Sequence, residues 1–452
     1  MDKIKVDLGR RLGKIKPMHC VNNGPTSPSV RKTYTSFDAY KALNIPYARN
    51  HDASFFSGYG GEHVVDVHRI FKNFDADEND PASYIFEPTD YYIKTTLDAG
   101  TETFYRLGAS IEHGYKYGTK VPPDFAKWAR ICEHIIRHYN EGWANGFKYG
   151  IEYWEIWNEP ECINSPTNHP CWQGTLDEFL ELYCVAAKHL KACFPNIKIG
   201  GPAFTSPWVD GDYEDHRFRI KFLDTIAREN IPLDFYSYHI YAKDPSRFEE
   251  AIVVARTELD KRGLTKAENI LNEWNYIRGW SGEDWEYSLR AERGLKGSSF
   301  IAGVMAIGQA SPLDMLMYYD ARPCGMNGIF AHETYEPLKG YYSFVMFDNL
   351  VKMGDYADCE YKKNDIYTCA ATNGRDGCIM MTYYNDEDES APKSVELEIL
   401  ANSERSKVEL YVLDEDRDLQ LVSYQYFTTN HFSLILDMKI HSSVMVKVIE
   451  SK

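Results

Sequence analysis

The stretch YWEIWNEPE, Tyr153 to Glu161, points to both the fold and the chemistry of this chain. Its run of aromatic and aliphatic residues is typical of a buried strand, and Asn158, Glu159 and Pro160 follow directly. Charged side chains are rarely buried unless they are paired or functional. The sequence therefore predicts a functional carboxylate at the end of a buried strand.

Short apolar strands and helical stretches alternate around this segment as far as about residue 350. Thr89 and Thr175 are predicted helix caps. The eight predicted strands lie at 15–20, 45–50, 101–107, 151–157, 198–204, 234–241, 269–275 and 313–320. Eight strand–helix repeats predict an α/β fold, a (β/α)8 TIM barrel. A doubly wound sheet is the alternative, but no glycine fingerprint follows the first strand.

The character of the sequence changes after about Gly354. Short strand-like segments follow one another closely, beginning with a hairpin whose turn lies at Asn373–Gly377. This pattern predicts a C-terminal β-sandwich. We expect residues 13–354 to form the catalytic barrel and residues 355–452 the β-sandwich, joined by an N-terminal strand at residues 1–12.

Composition excludes several classes of protein. The net charge of −17 argues against nucleic-acid binding, which needs a positive surface. The first residues are too charged for a secretory segment, and no apolar run is long enough for a membrane span. The ten Cys residues are scattered without a CxxC pair, so we expect reduced thiols in a cytoplasmic protein and no metal site.

A second carboxylate matches the first. Glu273 ends the predicted seventh strand and Glu159 the fourth, and each follows an Asn, Asn272 or Asn158. These strands face each other across the mouth of a barrel, where active sites lie. Two carboxyl groups, one neutral and one ionised, are the standard arrangement for cleaving a glycosidic bond. The alternative is that either Glu is a salt-bridge partner at the barrel rim.

Several motifs resemble known enzymes. WEIWNEP (154–160) resembles the acid/base signature of clan A glycoside hydrolases, and LNEWN (271–275) is similar to their nucleophile segment. The finer pattern resembles glycoside hydrolase family 39, which includes β-xylosidases and α-L-iduronidases. The stretches that support this are YARNHD (47–52), DFYSYHIY (234–241) and MNGIFAHETYEPLKGYYSF (326–344).

The resemblance implies a role for each matching residue. Glu159 would be the acid/base and Glu273 the nucleophile, with Asn158 bonding the sugar 2-hydroxyl. His239 and Tyr241 would lie near the nucleophile, and the further predicted substrate-binding residues are His51, Asp52, Trp274 and Tyr319.

Two features depart from the family's β-xylosidases. Those enzymes usually carry His-Gly after the second strand, where this chain has His51-Asp52, and a Trp-rich segment after the eighth, where it has MYYDARP (317–323). Both changes touch the subsite that selects the sugar.

The sequence thus predicts a retaining, exo-acting, β-xylosidase-like glycoside hydrolase acting on a small carbohydrate, without cofactor or metal. It is compatible with a homo-oligomer. The long connection from His51 to Pro88, with Phe55, Phe56 and Tyr59, is expected to wall off one end of the cleft. A transglycosylase with the same intermediate and a non-catalytic carbohydrate-binding protein on a retired barrel are the alternatives.

Overall fold

The computed structural model describes residues 2–26, 35–53, 63–109, 118–162 and 171–451. Phe55, Phe56 and Tyr59, on which the predicted wall of the cleft depends, lie outside these ranges. Within the described ranges, no helix combines the length and the apolar character that a membrane crossing requires.

The first strand, β1 (Asp2–Lys14), belongs to a second sheet, and the next eight strands form a barrel. All eight barrel strands are parallel and close on themselves where the first pairs with the last. The predicted fold class is confirmed. The barrel strands are β2 (Cys20–Asn22), β3 (Tyr47–Arg49), β4 (Glu102–Leu107), β5 (Tyr153–Ile156), β6 (Lys198–Phe204), β7 (Phe235–Ala242), β8 (Glu268–Tyr276) and β9 (Met315–Tyr318).

Helices surround the barrel and bury their apolar faces against it. The α-helices are α1 (Phe37–Lys41), α2 (Val67–Ile70), α3 (Glu87–Asp98), α4 (Phe125–Asn140), α5 (Leu176–Cys193), α6 (Glu214–Glu229), α7 (Ser246–Lys261), α8 (Gly282–Glu292), α9 (Leu295–Ala310) and α10 (Lys339–Met353). Short 3-10 turns occupy Pro81–Ser83 and Trp143–Asn145.

One predicted helix cap is confirmed and the other is wrong. Thr175 caps α5 through a capping box with Glu178. Thr89 lies inside α3, which already begins at Glu87 because Pro88 is well suited to a first turn. The Thr89 hydroxyl instead donates to the carbonyl of Val64 at 2.5 Å.

The remaining strands join β1 in a ten-stranded sheet with the order β16-β15-β18-β13-β12-β10-β1-β14-β17, in which β11 pairs with β12. Phe427 and Phe432, from the strands at the two ends of this order, stack at 4.0 Å, so the sheet curls around its own apolar core. The strands are β10 (Asp355–Cys359), β11 (Lys362–Lys363), β12 (Ile366–Thr372), β13 (Gly377–Tyr383), β14 (Lys393–Leu400), β15 (Ser406–Leu413), β16 (Gln420–Phe427), β17 (His431–Met438) and β18 (Ser443–Glu450).

The barrel and the second sheet share a core. Helices α9 and α10 pack on β12 and β13, and Tyr367 and Tyr384 of the second sheet are buried in the same cluster as the barrel's helices. The β1 strand lies in the middle of the sheet, antiparallel to β10 and parallel to β14. Its inward residues Ile4, Val6 and Leu8 are buried in the sheet's core.

This position of β1 predicts a stability effect. Leu8→Ala should lower the free energy of unfolding by about 2–5 kcal/mol, because it removes a core side chain that is 0% exposed and leaves a cavity. The matched control is Leu12→Ala in the same strand, where the side chain is 50% exposed and the cost should stay within about 0.5 kcal/mol. Thermal and urea unfolding measure both, and equal losses would contradict the buried position of Leu8.

Candidate active site

Glu159 projects from the carboxyl end of β5 because the chain turns sharply there. Trp157 and Glu159 have φ angles of 78° and 45°, in the left-handed region that costs non-glycine residues energy and that clusters at functional sites. The Trp157 side chain anchors the turn: it is buried and donates from Nε1 to the carbonyl of Cys171 at 2.9 Å. The Glu159 amide bonds the carbonyl of Ala203 at 2.9 Å.

The structure brings the two predicted carboxylates together around one imidazole. His239 Nδ1 lies 2.6 Å from Glu159 Oε1, and its Nε2 lies 3.7 Å from Glu273 Oε2. One atom from each of these three side chains lies within 4.8 Å of the others. Burial lowers the pKa of His239, which favours a neutral ring between the two acids.

Several donors surround Glu273. Tyr241 donates its hydroxyl to Oε1 at 2.7 Å, and Arg49 donates to Oε2 at 3.1 Å. His51 Nε2 is 3.6 Å from the same Oε2. Burial nevertheless raises the pKa of Glu273, and the charge of Glu159 adds to this, while His239, Arg49 and Tyr241 act in the opposite direction. The donors thus limit the rise in pKa and do not abolish it.

Arg49 is a site residue that the sequence analysis missed. Its guanidinium is fully buried and donates to Glu155 at 2.7 Å and to the amide oxygen of Asn158 at 2.7 Å, besides Glu273. Asn158 is thereby fixed in orientation beside the carboxylate pair. The sequence does contain a signal for Arg49: a positive charge lies within one strand-like segment and a negative charge, Glu155, within another. Only the fold shows that these two charges form a pair.

Glu155 in turn stabilises the strands that carry the site. It accepts from Ser237 at 2.6 Å and from the side-chain amide of Asn272 at 2.6 Å, in addition to Arg49. Asn272, which precedes the nucleophile candidate in sequence, therefore has a structural bond across the barrel.

A second group of predicted residues forms a buried wall beside the pair. Tyr319 donates its hydroxyl to Asp52 at 2.6 Å, and the Asp52 amide donates to Asn23 at 2.8 Å. His51 and His63 lie near Asp52, with ring nitrogens 3.6 and 4.0 Å from its Oδ1. The structure thus brings His51, Asp52 and Tyr319 together, and adds Asn23 and His63, which the sequence analysis did not select.

The wall continues into the segment after β9. Asp320 is fully buried, and burial raises its pKa to about 7 although Arg322 lies 3.4 Å away and opposes the shift. Asp320 also accepts from Asn23 at 2.9 Å, and Arg322 donates to the carbonyl of Asp52. Asp320 lies within MYYDARP (317–323), but the sequence did not identify it as a site residue.

Trp274 does not belong to the site, so the prediction that it binds substrate needs correction. The β8 strand is irregular between Leu271 and Trp274, so Asn272 and Glu273 both reach into the barrel while Trp274 points outward. Trp274 is fully buried against Phe248 and Phe300 of the helical layer, at ring distances of 5.6 and 6.2 Å.

Several buried polar atoms here have no hydrogen-bond partner among the described residues, which is typical of a site that receives hydroxyl groups or water. They are His51 Nδ1, Asp52 Oδ1, His63 Nδ1 and Nε2, His239 Nε2 and Asn272 Oδ1. These atoms are available to bond hydroxyl groups of a ligand.

Two groups of three potential metal donors occur in the described ranges. One is the Glu159, His239 and Glu273 cluster itself. The other is Glu133, His189 and Cys193, which lies between α4 and α5 in the outer layer.

Comparison with known proteins gives a family. The model of a family described as "Glycosyl hydrolases family 39" matches residues 2–273. The chain is similar to β-xylosidases from Caldicellulosiruptor saccharolyticus, with 26% identity over 301 residues, and from Geobacillus stearothermophilus, with 24% over 291. Both alignments cover 60% of this chain, and 55% and 50% of the relatives, so the chain spans about half the length of the curated relatives that it matches.

Solved structures agree on the architecture. A glucosidase from Croceicoccus marinus matches with a TM-score of 0.80 at 19% identity, and a monomeric β-xylosidase from Caulobacter crescentus with 0.73 at 14%. Each match covers 100% of both chains. At these identities the likeness shows the fold alone.

The raised pKa of Asp320 predicts a pH-dependent contribution to stability. Its folded pKa of about 7 exceeds the unfolded value of 3.8, so the folded state binds the extra proton between these values. Stability from this group is complete below about pH 4 and falls by on the order of 4 kcal/mol as pH rises to about 7.

Asp320→Asn keeps the side chain neutral and should remove this fall. The difference in free energy of unfolding, variant minus wild type, should therefore grow between pH 4 and 7 in thermal or urea unfolding. The control is Leu12→Ala, which changes no titratable group, has a side chain that is 50% exposed and should give a constant difference. Parallel curves for Asp320→Asn and wild type would contradict the burial of an ionisable Asp320.

Proposed function

The chain belongs to glycosyl hydrolases family 39, and we propose that it is a retaining, exo-acting glycoside hydrolase. It releases the terminal sugar of a short oligosaccharide or glycoside, with β-xylosidase-like activity, and its partner is this small carbohydrate. The observation that carries the proposal is the carboxylate pair of Glu159 and Glu273, with His239 between them and atoms of all three within 4.8 Å.

The short distance between the carboxylates supports retention of configuration. Retaining enzymes hold their two carboxyl groups about 5–5.5 Å apart, and inverting enzymes about 6.5–9.5 Å, to leave room for a water molecule. One carboxylate oxygen of Glu159 lies within 4.8 Å of one of Glu273, which favours the shorter class.

In the first step, the Glu273 carboxylate attacks the anomeric carbon while Glu159 gives its proton to the departing oxygen. The bond from carbon to the leaving group breaks as the bond to Glu273 forms. In the second step, Glu159 takes a proton from water, the water oxygen bonds the anomeric carbon, and Glu273 leaves as carboxylate. Arg49 and Tyr241 stabilise the charge that returns to Glu273.

The buried wall supports exo attack. His51, Asp52, His63 and Tyr319 close the pocket on one side with side chains that are themselves buried. Among the described residues this wall would meet the non-reducing end of a bound sugar, which favours exo attack. The curated relatives are β-xylosidases, and the sugar of this chain is proposed from them.

The two alternatives differ from hydrolysis in what becomes of the sugar. A transglycosylase would use the same intermediate and pass the sugar to another sugar instead of water. A non-catalytic protein would need neither the carboxylate pair nor the buried Arg49 that stabilises it, and the presence of both argues for catalysis.

The test is a panel of aryl glycosides of xylose, arabinose, glucose, galactose and uronic acids, with and without a sugar acceptor. Release of a single monosaccharide of retained configuration supports the proposal, with proton NMR reading the anomer. Inverted product, internal fragments from a polymer, or no turnover of any glycoside would overturn it.

Glu159→Ala separates the roles of the two carboxylates. On an aryl glycoside with a good leaving group, the first step needs little protonation and should survive, whereas the second step lacks its base. The glycosyl-enzyme should accumulate, and azide should restore turnover and yield a glycosyl azide of retained configuration. Mass spectrometry and NMR detect both species.

Glu273→Ala is the matched variant and should form no such retained azide. If azide rescues Glu273→Ala with inverted product and does nothing for Glu159→Ala, the two roles are reversed.

Tyr241→Phe should move the acidic limb of the pH profile of kcat/KM. Glu273 must be ionised to attack, and the Tyr241 hydroxyl is one of the groups that lower its pKa. Without this bond the pKa of Glu273 rises, so activity should be lost at a pH about one unit higher than in the wild type.

The control is Tyr236→Phe in the same strand, whose hydroxyl has no hydrogen-bond partner in the described part of the chain. Its limb should stay in place. An unchanged or lower limb in Tyr241→Phe would show that Tyr241 does not tune Glu273.

A further inference from the structure

An exposed tryptophan lies at the rim of the active site. Trp280 is 60% exposed and its ring meets that of Tyr241 edge-on, with centroids 5.0 Å apart. Tyr241 donates to Glu273, so a single side chain separates the exposed indole from the nucleophile. Isolated apolar residues on a surface are ordinary, but this one is continuous with the reacting centre.

A second indole supports the first. Trp285, in the first turns of α8, stacks on Trp280 with centroids 5.6 Å apart and planes within 23°. Trp285 in turn packs on the small apolar cluster that includes Ile277 and Tyr319. The exposed ring is therefore held by a packed neighbour, which lowers the entropy lost when a ligand binds to it.

Trp280 lies at the exposed rim, with 60% of its side chain accessible, whereas the wall residues His51 and Asp52 are buried, at 1% each. Arg49 and His51 approach Oε2 of Glu273, and Arg49 also holds Asn158. Tyr241 approaches Oε1, and Trp280 lies beyond Tyr241. A sugar bound by the polar groups would thus leave the aromatic rim to the other half of the substrate.

The second sheet holds the loop that carries Trp280. Asp386, between β13 and β14, accepts from the Tyr276 hydroxyl at 2.7 Å and pairs with Arg278 at 3.3 Å. Lys243, just after β7, and Lys296, in α9, pair with the same carboxylate at 3.2 and 3.1 Å. Asp386 therefore bonds residues at the ends of β7 and β8 and in the segment that leads to Trp280.

We propose that Trp280, supported by Trp285, is the stacking platform for the substrate's leaving group, and that Asp386 is a positioning residue for this platform. The ligand chemistry is a flat apolar face, which either the C–H face of a second sugar or an aromatic ring supplies. This inference rests on the proposed glycosidase function and names what that site recognises beyond the terminal sugar.

Trp280→Ala tests the platform with three substrates that share the sugar found by the panel: an aryl glycoside, a disaccharide and a glycosyl fluoride. The fluoride has a leaving group without a ring, so its kcat/KM should change less than twofold. For at least one ring-bearing substrate kcat/KM should fall roughly tenfold, in line with stacking on an aromatic side chain. The substrate whose kcat/KM falls more, the disaccharide or the aryl glycoside, shows whether Trp280 stacks on a sugar ring or on an aromatic ring.

Tyr426→Ala, which removes a 66% exposed aromatic ring of the second sheet, is the matched control and should alter none of the three substrates. Equal losses for all three substrates in Trp280→Ala, or no loss, would overturn the platform. If the wild type hydrolyses no glycoside at all, the proposed function fails instead, so the two failures are distinguishable.

Asp386→Asn tests positioning, and Arg278→Gln replaces it if the first variant does not fold. Either should reduce kcat/KM for the ring-bearing substrate and spare the fluoride. Combined with Trp280→Ala, neither should cause a further loss, because the platform is already gone. Losses that multiply in the double variant, or that include the fluoride equally, would show that Asp386 acts only on general stability.

Discussion

The buried guanidinium of Arg49 is the interaction on which the site depends. It starts from β3 and reaches Glu155 in β5, Asn158 after it, and Glu273 in β8. Removing a cation and two carboxylates from water is costly, and their mutual attraction offsets the cost only with well-formed hydrogen bonds. The planar fork of Arg, with several fixed donors, supplies these bonds in a way that the single charge of Lys could not.

The same burial acts against the ionised nucleophile that the proposed chemistry needs. Exclusion of water from Glu273 raises its pKa. Arg49 and the Tyr241 hydroxyl limit this rise and so favour the ionised carboxylate. The left-handed backbone at Glu159 is a further cost, accepted where a side chain must leave the strand and face its partner.

How far the sequence predicts this site depends on what a residue's neighbours reveal. Glu159 and Glu273 are evident because an acid directly follows an apolar strand, and the eight repeats specify where strand ends meet. Arg49 is paired through contacts distant in sequence, which no local pattern encodes. Trp274 was misassigned because a position next to Glu273 in sequence does not fix the side of the strand on which a side chain lies, and the irregularity of β8 between Leu271 and Trp274 is not visible in the sequence.

The second sheet constrains the barrel at two places. Its β1 leads directly into the barrel, and its β10 follows directly from it, with Lys14 paired to Asp355 and the amide of Ile15 bonded to the carbonyl of Gly354 at 3.0 Å. Entry and exit of the barrel are thus held side by side, close to the seam where β2 pairs with β9. At the other place Asp386 holds the ends of β7 and β8, which carry Tyr241 and Glu273. The second sheet therefore holds both the seam of the barrel and the strands that carry Glu273 and its donor Tyr241, and the proposed double-displacement reaction needs this nucleophile to keep its position through both steps.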